Sequence, residues 1–196
     1  MSTGLTQDRY QIRLLGPIQI ERNGAPIGRL ESRKALALLS YLCSQNKPVA
    51  RTQLTELFWA DKSEARGRGN LSRVLHSIGQ EMPNVFVADR QKVWINPEVQ
   101  LWVDIVNFAI LVAEQKPHLT AAATELYRGE FLEDIGLKEC PEFDVWLSGE
   151  REQWRQQVAQ AFQGMITHHT ERGEYDRGLR AATRLLDQAG WRPDAE

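Results

Sequence analysis

Cysteine and long apolar runs are nearly absent from this chain of 196 residues. Its two cysteines, Cys43 and Cys140, lie far apart, which excludes the dense disulfide framework of small secreted proteins and suits a reducing compartment. No uninterrupted apolar run reaches the roughly 20 residues that a membrane-spanning helix needs. The polar first residues lack the charged-then-apolar pattern of a signal peptide. We therefore expect a cytoplasmic protein with no membrane partner.

Recognisable catalytic and cofactor-binding patterns are also missing. The glycine-containing segment 66–70 lacks both the lysine of a phosphate-binding loop and a preceding strand. His168 and His169 have no cysteine or carboxylate at the spacing of a zinc site. The acidic residues between positions 130 and 144 are interpreted as an interaction surface or an ordinary solvated surface rather than a cation site. The sequence therefore predicts no enzyme activity, no metal and no cofactor.

The net charge of −2 conceals opposite charges in the two halves of the chain. Residues 1–100 hold 14 Lys and Arg against 9 Asp and Glu, whereas residues 101–196 hold 10 against 17. A basic half joined to an acidic half favours two domains, of which only the first would attract a polyanion such as DNA. Random variation in charge is the alternative explanation. We predict one domain over residues 1–99 and a second over residues 100–196.

The first half changes from the alternation of strands to the periodicity of helices and back again. Residues 10–27 alternate between apolar and polar side chains and turn at Asn23-Gly24, which predicts a small antiparallel sheet ending near Leu30. Ser32 is the predicted N-cap of the next helix, and Asp61 and Glu64 have the spacing of a capping box. Three helices and a hairpin are predicted over residues 33–43, 51–59, 63–78 and 85–96. Sheet, three helices and hairpin is the order of a winged helix.

The third predicted helix combines an apolar stripe with a polar stripe suited to DNA. At about 100° per residue, the apolar stripe comprises Leu71, Val74, Leu75, Ile78 and Met82. The polar stripe, roughly a third of a turn away, contains no carboxylate and comprises Arg66, Asn70, Arg73 and Ser77. Arginine pairs with guanine edges or phosphates and asparagine pairs with adenine, so a helix in a major groove uses these side chains. A solvated helix face is the alternative interpretation.

Further basic and polar residues extend the predicted DNA contact. Arg68 and His76 flank the polar stripe. Arg90 and Lys92 lie at the predicted wing tip, where contact with a phosphate or the minor groove and an ordinary turn remain alternatives. Residues near helix starts are predicted phosphate contacts because N-terminal backbone amides favour anions, with surface solubility as the alternative. These residues are Arg33, Lys34, Arg51 and Thr52.

From Val103 onward the sequence predicts only helices. Pro117-His118 separates the first two, and the last two are similar to a tetratricopeptide-like hairpin, which buries its apolar stripe by stacking on neighbours. The four predicted helices cover residues 104–113, 120–127, 141–170 and 175–188. The chain stops at residues 192–196, where another helix would normally follow. We therefore expect a truncated second domain in a fragment of a longer protein with downstream domains.

Six short segments occur in a recognisable order along nearly the whole chain. They lie at residues 33–42, 57–60, 68–73, 104–108, 126–132 and 141–146. The ordered set resembles bacterial transcriptional activators, more narrowly the antibiotic-regulatory type and its large multidomain relatives. The resemblance implies an α+β winged helix, similar to response-regulator output domains, followed by an all-α, tetratricopeptide-like bacterial transcriptional activator domain.

The resemblance also implies a mechanism, and the sequence departs from the family at three positions. Relatives bind direct repeats at promoters and recruit RNA polymerase, and some carry ATPase and repeat domains downstream. They tend to have alanine at Gly67 and Gly69, and each glycine costs about 1 kcal/mol in a helix interior. Ala50 stands where relatives often have a serine cap, so we expect a less firm start to the second helix.

The sequence therefore predicts a sequence-specific DNA-binding transcriptional regulator. Its predicted partners are double-stranded DNA and, from the resemblance, RNA polymerase, with activation as the expected outcome. The alternative is a helical-repeat protein-interaction module without specific DNA binding. Nucleic-acid binding falls steeply with ionic strength through counterion release, so a salt titration separates the two hypotheses.

Overall fold

In the computed structural model, which describes residues 8–27, 30 and 32–188, a mixed first half precedes a helical second half. The first half contains β1 (Arg9–Arg13), β2 (Gln19–Arg22), β3 (Ala25–Pro26), α1 (Arg33–Ser44), β4 (Val49–Ala50), α2 (Arg51–Trp59), α3 (Glu64–Glu81), β5 (Phe86–Ala88), β6 (Lys92–Ile95) and β7 (Gln100–Val103). The second half contains α4 (Asp104–Ala113), α5 (Pro117–Leu126), α6 (Pro141–Glu171) and α7 (Tyr175–Gln188). The expected continuation of the helical array after position 188 lies outside the described residues.

The first sheet has four strands, in the order β3, β2, β1 and β7. β1 and β7 run parallel, with Arg9 opposite Gln100 and Ile12 opposite Val103. The predicted small antiparallel sheet is therefore wrong in one respect, because a parallel strand from much later in the chain completes it. Parallel neighbours are joined by long crossover connections, so alternation within residues 10–27 carries no information about this strand.

The starts of α1 and α3 use different caps. Ser32 is the N-cap of α1, and its hydroxyl accepts a hydrogen bond from the backbone N–H of Ala35 at 3.4 Å, as predicted. The predicted capping box beginning at Asp61 is wrong. Ser63 occupies the N-cap of α3 without a side-chain cap bond, and the carboxylate of Asp61 pairs with Nζ of Lys62 at 2.6 Å.

α3 packs against α1 and α2 through a stripe that is narrower than predicted. Leu71, Ile78 and Met82 are fully buried, whereas Val74 and Leu75 are only half-buried. The helix is therefore held by one line of apolar side chains, and more of its circumference faces solvent than five buried positions would allow.

The second sheet is the predicted hairpin with one additional strand. β4, β6 and β5 lie in that order and pair antiparallel, with Val49 opposite Val93 and Phe86 opposite Ile95. The hairpin predicted over residues 85–96 is confirmed by β5 and β6. β4 is the two-residue link before α2, so pairing it with β6 joins the hairpin to the start of that helix.

The chain forms two compact units that exchange two segments. Among the described residues, the first unit takes those within 8–12, 19–103 and 135–147, and the second takes those within 13–18, 104–134 and 148–188. The predicted division after residue 99 does not coincide with these units. α6 contributes its first residues to one unit and its remainder to the other.

The aromatic core of the first unit depends on the segment that comes from late in the chain. The ring centroid of Phe58, which is fully buried, lies 6.2 Å from that of Tyr41 and 5.2 Å from that of Phe143. The rings of Tyr41 and Trp146 are 4.8 Å apart. The thiol of Cys140 donates to the carbonyl oxygen of Phe58 at 3.2 Å. Residues 135–147 therefore fill the space beside α1 and α2.

The first residue of α4 is a buried carboxylate that organises the second unit. Asp104 has no exposed surface, and it accepts hydrogen bonds of 2.8–2.9 Å from the backbone N–H groups of Leu14, Leu15 and Ile105. Burial raises the pKa of Asp104, and this effect exceeds the opposite effects of the three N–H donors and of the Arg128 charge. Asp104 thus anchors the segment 13–18 to the beginning of α4.

The same segment makes a β-bridge with the loop that precedes α6. Leu15 pairs with Phe131, and the backbone N–H of Gly16 donates to the carbonyl of Glu130 at 3.0 Å. Gly16 has φ +114°, a conformation that side chains disfavour, and a Cβ there would lie 3.1 Å from Cβ of Arg128. A glycine is therefore required at this crossing.

The four helices of the second half agree with the predicted pattern apart from the start of α5 and differences of one residue at the ends of α5 and α6. α5 begins at Pro117 and not at residue 120, because proline suits the first helical position, where its missing N–H is not needed. α6 presents Trp154 to the rings of Phe108 and Phe131, at centroid distances of 5.7 and 6.2 Å. Within the described residues, no helix has the length and apolar content to span a membrane, and no group of three potential metal ligands is found.

Candidate nucleic-acid interface

A basic cleft lies between α3, the start of α2 and the hairpin of β5 and β6. The cleft encloses about 830 Å³ and combines four cationic side chains with a single carboxylate. Its charged residues are Arg51, Arg68, Arg90, Lys92 and Asp89, and its polar neighbours include Thr52, Ser72 and Gln91. Five residues predicted from the sequence therefore line one surface.

Asp89 builds the wing turn and joins it to α2. Its carboxylate accepts the backbone N–H groups of Lys92 and Gln91 at 2.6 Å, and these two bonds lower the pKa of Asp89. Its carbonyl oxygen accepts from Nε of Arg51 at 2.8 Å, and the backbone N–H of Arg51 donates to the carbonyl of Gln91 at 2.8 Å. The N-cap of α2, Ala50, makes no side-chain cap bond, so these contacts hold the helix start where a serine is missing.

The exposed face of α3 is centred beside the predicted polar stripe. Arg66, Arg73 and Ser77 are exposed as expected, but Asn70 is half-buried. At about 100° per residue, the middle of the exposed face carries Gly69 and His76. The predicted stripe therefore occupies one flank of the face. The opposite flank carries Arg68 and Ser72, which turn toward the cleft.

Two arginines of α3 already have side-chain partners. Nη2 of Arg73 donates to Oδ1 of Asn70 at 2.5 Å, so a pairing of Asn70 with adenine, which uses this oxygen, requires the bond to open or to be shared. Nη2 of Arg68 lies 2.5 Å from a carboxylate oxygen of Glu64, one helical turn earlier. The carboxylate of Glu64 therefore offsets one positive charge at the edge of the cleft.

The remaining predicted phosphate contacts separate into two kinds. Arg33 and Thr52 are exposed at the starts of α1 and α2. Lys34 is used differently, because its Nζ donates to the carbonyl of Phe58 at 3.0 Å and lies 5.2 Å from the ring centre of Trp59. Lys34 thus caps the C-terminal end of α2, where a cation is favourable. Phosphate contact by all three residues stays a prediction.

The glycines that depart from the family pattern have different surroundings. A Cβ on Gly67 would lie 3.4 Å from Cβ of Thr55 and 3.8 Å from Cβ of Trp59, which is ordinary van der Waals contact. Gly69 has nothing within 4 Å of that position. Alanine therefore fits at both positions, and the fraying expected in the first turn stays a prediction.

Sequence reasoning missed three residues of this surface. Ser72 and Gln91 line the cleft, and Glu64 neutralises Arg68. A signal for Ser72 and Glu64 existed, because both stand four residues from Arg68 and therefore share its side of the helix. Gln91 had no such signal beyond its place in the predicted wing turn.

Comparisons with known proteins agree with this architecture. Residues 112–195 match the family model of the bacterial transcriptional activator domain. The chain is 31% identical over 93 residues to the transcriptional regulatory protein MoaR1 of Mycobacterium bovis (strain BCG / Pasteur 1173P2) and, equally, to MoaR1 of Mycobacterium tuberculosis (strain ATCC 25618 / H37Rv). These matches cover 43% of this chain and 29% of each relative, so the chain spans under a third of their length.

A solved structure extends the likeness to nearly the whole chain. Mycobacterium tuberculosis EmbR in complex with a low-affinity phosphopeptide has a TM-score of 0.59 and 19% sequence identity to this chain. The match covers 95% of this chain and 62% of the EmbR chain. It confirms the predicted fold class, a winged helix followed by the helical domain.

Proposed function

We propose, from the similarity of this chain to bacterial transcriptional activators, that it binds specific DNA sequences through its first unit. In this proposal α3 enters the major groove, and the hairpin of β5 and β6 is the wing. Relatives of this chain are transcriptional regulators, which sets the class of process. Binding to direct repeats at promoters and contact with RNA polymerase are inferred from the same relationship.

The observation that carries the proposal is the basic cleft beside an exposed helix. Four cations from three separate elements lie around one space of about 830 Å³, and Asp89 is its single carboxylate. The carboxylate of Asp89 accepts two backbone N–H groups of its own turn, and the nearby charges of Lys92 and Arg51 also lower its pKa, so one carboxylate faces four cations. Cationic side chains held on a rigid surface bind phosphates and release counterions from the duplex.

The geometry divides the proposed contacts between phosphates and bases. Arg51, Arg68, Arg90 and Lys92 belong to the cleft and are assigned to phosphates. The outer face of α3 is assigned to base edges, because a major groove admits an α-helix and its side chains distinguish all four base pairs there. That face carries Arg66, Asn70, Arg73, His76 and Ser77.

A protein-interaction module is the second candidate function, and α7 carries the observation that favours it. Tyr175, Leu179 and Leu186 are exposed by 69%, 68% and 42% and recur at helical spacing. An exposed apolar stripe of this kind is typical of a surface that packs against another protein segment. This function does not require DNA binding by the first unit.

Selection of bound sequences from a random DNA library, followed by a salt titration, tests the proposal. We expect one enriched sequence and an association constant that falls steeply and linearly with salt on logarithmic axes. Recovery of no sequence, with the association constant unaffected by salt, would contradict DNA binding and favour the interaction module.

Arg73→Ala is expected to weaken specific binding by about 1–3 kcal/mol and to relax the preference at one base position. Arg73 is exposed on α3, and its removal also frees the side chain of Asn70. A gel-shift series on the selected site and its single-base variants measures both effects. Arg180→Ala, an exposed arginine of α7, is the control for the lost charge. Unchanged affinity and preference would remove Arg73 from the proposed contacts.

Glu64→Gln is expected to strengthen DNA binding, whereas Arg73→Ala is expected to weaken it. The substitution removes the carboxylate that neutralises Arg68 and would repel a phosphate. We expect a rise in affinity of a few-fold and a salt slope that steepens by up to about 0.9, the value for one further phosphate contact. Glu56→Gln makes the same charge change on an exposed position of α2 outside the cleft. Equal effects of both substitutions would indicate net charge alone.

A further inference from the structure

The second unit contains a cavity whose polar wall is mostly basic. It encloses about 480 Å³ where the start of α5, the end of α6 and the start of α7 come together. Its ionisable residues are His118, His168, His169, Arg172, Glu174 and Arg177. These side chains have no role in the proposed DNA interface.

The single carboxylate of this cavity, Glu174, already has three cationic or hydrogen-bonding partners. Glu174 pairs with Nδ1 of His169 at 2.8 Å, with Nη1 of Arg177 at 3.2 Å and with Nε of Arg172 at 3.3 Å. Hydrogen bonds from His169 and then from Arg172 lower the pKa of Glu174 to about 2. Each arginine has further N–H groups on a side chain that is 63% exposed. Two permanent positive charges therefore face one negative charge, and the surplus is cationic.

The start of α5 adds to this positive potential. Lys116 is the N-cap of α5 and makes no side-chain cap bond, Pro117 has no N–H, and the N–H of Leu119 donates to the carbonyl of Lys116 at 2.9 Å. The backbone N–H of His118 therefore carries the partial positive charge of this helix end, which favours an anion. His118 follows at the second helical position and lines the cavity.

A second cavity, mostly apolar but with Gln115, Thr120 and Gln160 in its wall, adjoins the basic one. It encloses about 270 Å³ and shares Pro117 and Met165 with its neighbour. Its lining includes two small residues of α6, Ala161 and Gly164. A Cβ on Gly164 would meet no atom within 4 Å, so the glycine leaves open the space that a side chain would fill.

We propose that the two cavities form one binding site for a small amphiphilic anion. The anionic head group lies between Arg172, Arg177 and His118, and the apolar body lies over Ala161 and Gly164. Cavities of a few hundred cubic ångströms with mixed apolar and polar walls suit small molecules. An arginine fork binds a carboxylate through two parallel hydrogen bonds, which makes an organic acid the expected class. The site does not depend on DNA binding.

The probe is 1-naphthoate, with 1-naphthamide as the neutral molecule of matching shape. Each is titrated into the full chain, and binding is followed by nuclear magnetic resonance of the backbone and the histidine rings. We expect naphthoate to bind saturably at one site, with shifts at His118, His168 and Gly164, and at least ten times more tightly than the amide. Equal binding of both molecules, or no saturable shift at millimolar naphthoate, would overturn the proposal.

Two variants examine the two ends of the site separately. Arg172→Gln combined with Arg177→Gln is expected to lower naphthoate affinity at least tenfold. Arg180→Gln, on α7 with Arg177, is expected to leave the affinity unchanged. Gly164→Leu fills the apolar cavity and is expected to abolish binding, while leucine favours the helix more than glycine does. Circular dichroism verifies the fold of each variant. Binding that survives both variants places the ligand elsewhere and contradicts the site.

Discussion

Asp104→Ala is expected to lower the free energy of unfolding of the second unit by about 3–9 kcal/mol, because each of three buried N–H groups would lose its acceptor at about 1–3 kcal/mol. The groups belong to Leu14, Leu15 and Ile105. The Arg128 charge nearby would also lose its counter-charge. Domains are stable by only about 5–15 kcal/mol, so this loss removes a large part of the margin.

Urea unfolding measures the loss, and amide hydrogen exchange locates it. We expect the amides of Leu14 and Leu15 to be protected in the native protein and to exchange rapidly in the alanine variant. Asp104→Asn keeps one acceptor oxygen but turns an NH₂ group toward a backbone donor. Its free energy of unfolding should therefore lie between that of the native protein and that of Asp104→Ala. Asp187→Asn, an exposed change on α7, is the control. Native-like exchange at both leucines in Asp104→Ala would contradict the anchoring role.

Neutralising three cations of the cleft is expected to have the largest effect on DNA binding. The variant carries Arg68→Gln, Arg90→Gln and Lys92→Gln, all exposed side chains whose loss leaves the core intact. Three lost phosphate contacts reduce the salt slope by about 2.7 and, at 0.1 M salt, the affinity by roughly 500-fold. Because phosphates carry no sequence information, the base preference should remain.

Fluorescence anisotropy on the selected site and on random duplex measures the affinity and its salt slope, and comparing the two duplexes measures the sequence preference. The matched control removes three cations elsewhere, through Lys138→Gln, Arg155→Gln and Arg180→Gln. We expect this control to bind with a nearly native slope, because salt screens distant charges within about 10 Å. Similar slopes for the two triple variants would show that the cleft has no special part in binding.

Local patterns predicted most helices, because amphipathic periodicity is a property of neighbouring residues. α2, α4 and α7 have the predicted ends, and α6 differs by one residue. The parallel strand β7 escaped prediction because its partner lies 91 residues earlier and pairing at that distance leaves no local trace. The anchoring by Asp104 was missed for the same reason, although its position marked the family resemblance.

The direction of the exposed face of α3 could be predicted only in part. Apolar residues at five positions of α3 indicated a wide buried stripe, but Val74 and Leu75 are only half covered by neighbouring elements. The direction of the exposed face depends on which of these residues finds a partner, and the helix alone does not determine this. The predicted polar stripe therefore lies on one flank of the exposed face, with Asn70 half-buried, and its contact with DNA stays a prediction.

The exchange of segments between the two units determines where this protein can be divided. A fragment ending near residue 103 would keep α3 and the wing but lose Phe143, Trp146 and Cys140. The ring of Phe58 would then face water, and truncating a buried aromatic neighbour such as Phe143 costs about 3–5 kcal/mol. Such a fragment would bind DNA poorly through misfolding alone. A version of the first unit that folds by itself must therefore retain residues 135–147. A flexible linker could join these residues to residue 103.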